Sequence, residues 1–211
     1  MKLPPHPFIA KYQALPVPAN VKAITNVWGS LSAKALILAE HPTVDEIDNN
    51  LAFTSVAARV YHRAMLADTG FTDLSEDFIV IPFSRFNVGR GSKPSKASTE
   101  HTFEFLKDAV PSLTNLRCTV RIGMTSFGFT FAGGRRTHAR SIIGNPMFLP
   151  QLYTLPVVVL PDTSLVVPDD PDNWRAARLA KDKMVQIQNL TINLHAFVQS
   201  LKPKGKVTCN P

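Results

Sequence analysis

The chain is short of cysteine, of acid and of long apolar runs, and each shortage excludes something. Two cysteines in 211 residues, Cys118 and Cys209, make neither a disulfide framework nor a four-cysteine metal site. A reduced, intracellular compartment follows as the expectation: cytoplasmic, and nucleoid-associated where the protein is on DNA. No uninterrupted apolar run approaches the roughly 18–20 residues of a membrane span, so no membrane partner is expected. The first residues, Met1-Lys2-Leu3-Pro4-Pro5-His6-Pro7, lack the apolar stretch of a signal peptide. Charged residues are only 18 % and hydrophobic ones 45 %, so a disordered chain is excluded and a core without staples is expected.

Acids are fewer than bases, 16 against 23, for a net charge of +7. That balance argues for an anionic partner, most often nucleic acid. The distribution sharpens it. Between Asp108 and Asp162 there is no acid, while Arg117, Arg121, Arg135, Arg136 and Arg140 all fall there. A second acid-free stretch carries Arg85, Arg90, Lys93 and Lys96, broken by Gly89, Gly91 and Pro94. Those breakers make it a loop. Flexible basic loops can follow a phosphate backbone, and the plainer alternative is a solvated loop.

Proline density in residues 1–33 (Pro4, Pro5, Pro7, Pro16, Pro18) reads as an extended N-terminal arm with one short helix around Val21–Trp28. Residues 34–201 read as one domain and 202–211 as a polar tail. Within the domain, apolar runs alternate with helical patterns. Ala35–Ala39, Phe78–Ile81, Leu116–Ile122 and Val157–Leu160 are the strand candidates. Phe53, Val56, Ala57, Val60, Tyr61, Ala64 and Met65 recur on one helical face. Ser98 is placed to cap a helix carrying Phe103, Leu106 and Val110. Asp170-Pro171 is placed to open a long helix to Leu201, with Trp174, Ala177, Val185, Leu190, Leu194, Phe197 and Leu201 inward. Such alternation predicts an α/β fold in three αβα layers around a four-stranded parallel sheet. Ligands of such sheets bind beyond the carboxyl ends of the strands. That rule selects Glu40–Thr43, Pro82–Arg85, Gly123–Ser126 and Pro161–Ser164, with both basic stretches at or near the same rim.

In this order the segments resemble the uracil-DNA glycosylase superfamily, especially its iron–sulfur branch. The family's G-E-A-P-G after the first strand stands here as Ala39-Glu40-His41-Pro42-Thr43. Its E-D pair is matched by Glu46 and Asp48, its P-F-V-G by Ala52-Phe53-Thr54-Ser55, and its L-G-x-T-A by Ile122-Gly123-Met124-Thr125-Ser126. Its H-P-S is matched by Asp162-Thr163-Ser164. The resemblance covers about residues 34–200. It implies DNA repair or modification by base flipping, and a hydrolase where active. Glu40 would stabilise positive charge at the sugar or position a water. His41 would donate to the departing base, and Phe53 would stack on it. Ser164 and Leu165 would sit where the family drives an apolar wedge into the duplex.

The chain departs from that pattern at several points. The four cluster cysteines are absent, so no iron–sulfur cluster, other metal or cofactor is expected. The family's base-reading asparagine falls near Ile81, and its histidine near Asp162, an acid that repels a departing anion. The expected catalytic set is Glu40, His41 and Asp162; the base-binding set is Phe53, Ile81 and Ser164. The DNA-binding set is Arg85, Arg90, Lys93, Lys96, Arg135, Arg136, Arg140 and Leu165. The expected partner is DNA, single- or double-stranded, with a replication or repair protein beside it. Ordinary uracil is expected to be a poor substrate. Two other readings stand alongside. One is a DNA-binding or replication-accessory protein that has lost base excision. The other is a nucleotide- or phosphate-binding domain using the turn at Gly123–Ser126.

Overall fold

The computed structural model describes residues 6–39, 41–87, 96–123, 147–148, 155–168, 170 and 172–201. Four apolar runs form the middle of the sheet: β2 (Ala35–Ala39), β3 (Phe78–Pro82), β4 (Cys118–Ile122) and β6 (Pro156–Leu160). They are parallel, with Ile37 opposite both Val80 and Val120, and Val120 opposite Val158. Two-residue strands, β1 (Trp28–Gly29) and β5 (Met147–Phe148), add antiparallel edges. The sheet order is β1-β3-β2-β4-β6-β5. The purely parallel four-stranded sheet read from the sequence is therefore corrected to a mixed six-stranded one. A two-residue strand has no alternation to detect.

Helices cover both faces. On one, α3 (Val56–Leu66) and α6 (Trp174–Ser200) bury Tyr61, Met65, Ile187 and Leu194 against Ile37, Val80, Val120 and Val158. On the other, α1 (Pro7–Gln13) and α5 (Lys96–Ala109) bury Phe8, Tyr12, Phe105 and Leu106 against Leu36, Leu38, Ile79 and Ile81. Two shorter helices, α2 (Val44–Asp48) and α4 (Leu74–Asp77), lie with α3 in the crossover from β2 to β3. Among the described residues no helix is long and apolar enough to cross a membrane.

Several local expectations are corrected. The N-terminal helix is Pro7–Gln13, and Val21–Trp28 is not helical. Pro7 sits in the first turn, where its missing N–H costs nothing, and the His6 ring accepts the Phe8 N–H at 3.2 Å. With Phe8 and Tyr12 fully buried, this part of the arm is packed into the domain. Helix α3 starts after Ser55, whose hydroxyl accepts the Ala58 N–H. Phe53 therefore precedes the helix, and Val56 is 56 % exposed. Helix α5 begins at Lys96, so Ser98 lies inside it. Helix α6 is capped by Asn173, not Asp170; Asp170 closes a turn onto the Asp172 N–H. Its buried stripe is Ala180, Ile187, Thr191, Leu194 and Val198. Trp174, Ala177 and Val185, expected inward, are exposed. The apolar residues of this helix fall on two sides, and at 3.6 residues per turn positions 174 and 185 lie opposite the buried stripe.

Candidate functional site

The sheet order makes β2 and β4 neighbours whose connections leave in opposite directions, β2 toward β3 and β4 toward β6. That is the switch point at which open α/β sheets hold ligands, beyond the carboxyl ends of the strands. A cavity of about 520 Å³ opens there, within the roughly 300–1,000 Å³ of ligand pockets. Its floor is Ala39, Ile122, Ala58 and Phe53, and its polar wall is His41, Thr43, Asn87, Asp162, Thr163 and Ser164.

The wall after β2 is built by a capping box. Thr43 caps α2 and accepts the Glu46 N–H, while Glu46 Oε2 accepts the Thr43 N–H at 3.0 Å. Glu46 Oε1 also accepts the N–H groups of Thr54 at 2.9 Å and Ser55 at 3.2 Å. One buried carboxylate thus holds α2 and the approach to α3 together. Asn87 Nδ2 donates to the Pro42 carbonyl at 2.9 Å, tying the segment after β3 to the same wall.

Phe53 lies under the cavity with φ +64°. A bulky side chain in the left-handed region costs of order 1–3 kcal/mol, a cost found most often at functional sites. The ring is held edge-on by Tyr61, with centroids 6.1 Å apart, by Trp28 at 6.3 Å and by His62 at 4.4 Å. Only 3 % of Phe53 remains exposed. Burial lowers the His62 pKa to about 4, and its Nε2 has no hydrogen-bond partner among the described residues.

The wall after β6 is a 3-10 turn, Thr163–Val166, capped by Asp162, whose Oδ1 accepts the Ser164 N–H at 2.7 Å. The Tyr61 hydroxyl donates to the Pro161 carbonyl at 2.9 Å and fixes this turn to α3. Burial, and secondarily the Asp162 charge, hold the Tyr61 phenol well above its usual pKa. Leu165 and Val44 stand on the rim, 43 % and 65 % exposed.

The structure thus brings together His41, Phe53, Asp162, Ser164 and Leu165. Ile81 is not among them. It is fully buried against the α1/α5 face, because alternation along β3 turns it away from the cavity face. Arg85 is corrected too: it is 6 % exposed and serves the fold. Its Nε donates to the Ile24 carbonyl, its guanidinium nitrogen to the carbonyls of Gln13 and Leu15, and it lies over the Tyr12 ring. Glu40, Arg90, Lys93, Arg135, Arg136 and Arg140, the Met124–Ser126 part of the proposed phosphate turn, and the side chain of Lys96 lie outside the described residues. Sequence reasoning missed Glu46 as the organiser of the wall, although Thr43-Val44-Asp45-Glu46 carries the capping-box spacing that marks it. Asn87 left no such signal.

No protein-family model matches the chain, and a search of curated proteins gave no significant match.

Proposed function

We propose that this protein binds DNA and takes an unstacked base into the cavity beyond β2, β4 and β6, with ordinary uracil a poor substrate or none. The observation that carries the reading is the meeting of His41, Phe53, Asp162 and Ser164 around one cavity at the switch point. The order of motifs resembling the uracil-DNA glycosylase superfamily supports it from the sequence side, as does the net charge of +7. In this reading the exposed Leu165 and Val44 enter the gap that the base leaves. His41 faces the base edge, and Glu40 is the carboxylate nearest the sugar. The basic stretches carrying Arg90, Lys93, Lys96, Arg135, Arg136 and Arg140 follow the DNA backbone.

A non-catalytic DNA-binding or replication-accessory role is the second reading. It is favoured by Phe53, whose ring is closed in by three neighbouring rings rather than open for stacking. A strand-cleavage assay separates the two. Purified protein is incubated with single- and double-stranded oligonucleotides carrying uracil or modified bases, with Glu40→Gln as control and binding measured alongside. Binding with slow or no release of uracil is the expected result. Rapid, uracil-selective excision would overturn the substrate assignment. Loss of no tested base, with tight binding, moves the protein to the non-catalytic class. No binding to any strand at low salt would end the DNA reading.

A further inference from the structure

The protein is basic, yet the described lining of its cavity is not. Among the described residues no lysine or arginine lines it, and two carboxylates do, Glu46 and Asp162. Glu46 is occupied, since its two oxygens accept three backbone N–H groups. Asp162 is half-buried and uses only Oδ1, on the Ser164 N–H. Its Oδ2 accepts no hydrogen bond from the described residues. A carboxylate is an acceptor and never a donor when ionised. With no lysine or arginine among the described residues of the lining, it attracts N–H groups and repels carbonyl oxygens and phosphates.

We infer that Asp162 makes the cavity selective for a nucleobase whose exposed edge donates hydrogen bonds, the amino group of cytosine or adenine or the N1–H and amino edge of guanine. This rests on the reading that a base enters the cavity. Uracil and thymine present their single N3–H between two carbonyl oxygens, which the carboxylate repels. Acidic side chains accept from the cytosine amino group in direct base recognition for the same reason. A free phosphate or a nucleotide bound by its phosphate is disfavoured at this wall, which sets the cavity apart from the phosphate site considered at Gly123–Ser126.

The test is fluorescence anisotropy on single-stranded oligonucleotides identical except for one central base. Two pairs are compared, cytosine against uracil and adenine against unsubstituted purine, so that each pair contrasts an amino group with its replacement. The wild type should bind the amino member about tenfold more tightly, the worth of one hydrogen bond to a charged acceptor. Asp162→Asn should bring both members to within about twofold, because an amide offers a donor as well as an acceptor. Asparagine caps as well as aspartate, so the 3-10 turn survives the change. Asp162→Ser, which also caps, should lose the preference likewise. Equal binding of cytosine and uracil by the wild type overturns the inference, and so does a preference that survives both substitutions. Binding to every strand without base preference defeats this inference alone. Binding to none defeats the base-entry reading with it.

Discussion

On one face of the sheet Phe8, Tyr12 and Phe105 meet beneath Arg85; on the other Trp28, Phe53, Tyr61 and His62 meet beneath the cavity. Both clusters bury aromatic rings and one nitrogen-rich side chain. On the first face the Arg85 guanidinium finds three carbonyls, and the cluster ties α1 to the domain. Its one loose end is the Tyr12 hydroxyl, buried without a partner among the described residues and pushed above its usual pKa by burial. On the second face Phe53 holds a left-handed backbone, and His62 is kept neutral, its Nε2 without a partner among the described residues. The left-handed backbone of Phe53 lies under the cavity, where folds tolerate such costs.

The largest effects should come from the rings themselves. Phe105→Ala should destabilise by about 4 kcal/mol, as deletion of a buried aromatic does, read by denaturant unfolding. Arg85→Ala should cost about 3 kcal/mol, because three carbonyls lose their donor. At matched folded protein it should leave the salt dependence of DNA binding unchanged. Replacing Arg135 and Arg136 should instead lower the slope of log affinity against log salt by about 0.9 per lost phosphate contact. If Arg85→Ala alone lowered that slope, the structural role assigned to this arginine would fall.

The pH response should differ between the faces as well. The His62 pKa, ordinarily 6.5, is lowered to about 4 in the folded protein. Between those values the unfolded chain binds a proton that the folded one does not. Stability is therefore full above the unfolded value and falls as pH drops toward the folded one, by about 3 kcal/mol in all. His62→Phe should flatten that part of the stability–pH curve, and a curve unaltered by the substitution would contradict the buried neutral state. The smallest expected effect is a change of sign. At position 53 glycine should be more stable than alanine by about 1 kcal/mol, because it relieves the positive φ. At position 105, inside α5, alanine should be the better by a similar amount.

Much of the central sheet was legible in the sequence, because its four strands are continuous apolar runs with clear breakers. The edges were not, since Trp28–Gly29 and Met147–Phe148 are too short to show a period. Gly29 belongs to that edge for a steric reason that no pattern reveals: with φ +89°, a Cβ there would stand 2.0 Å from the Phe78 carbonyl oxygen. The site was legible as far as the rule of strand ends reaches, which placed His41, Asp162 and Ser164 together. Arg85 was misread where charge alone was used, and Arg117 and Arg121 entered the basic count without being free for DNA. Arg85 is buried in the fold, Arg117 donates to the Val198 carbonyl, and Arg121 is buried within β4. Composition counts a cation without saying whether it faces solvent or a carbonyl. Phe53 was read on the face of α3 but precedes that helix, and its backbone strain belongs to tertiary packing and has no sequence signature.

The central claim is that a DNA base enters the cavity at the β2/β4 switch point. Photo-crosslinking tests it most directly, with a single-stranded oligonucleotide carrying one photoreactive base and the attachment sites read by peptide mass mapping. The account predicts crosslinks within His41–Phe53 and Asp162–Leu165, competed away by the same strand without the photoreactive group. Bound DNA that crosslinks only elsewhere, on α5 or α6 for example, would contradict it.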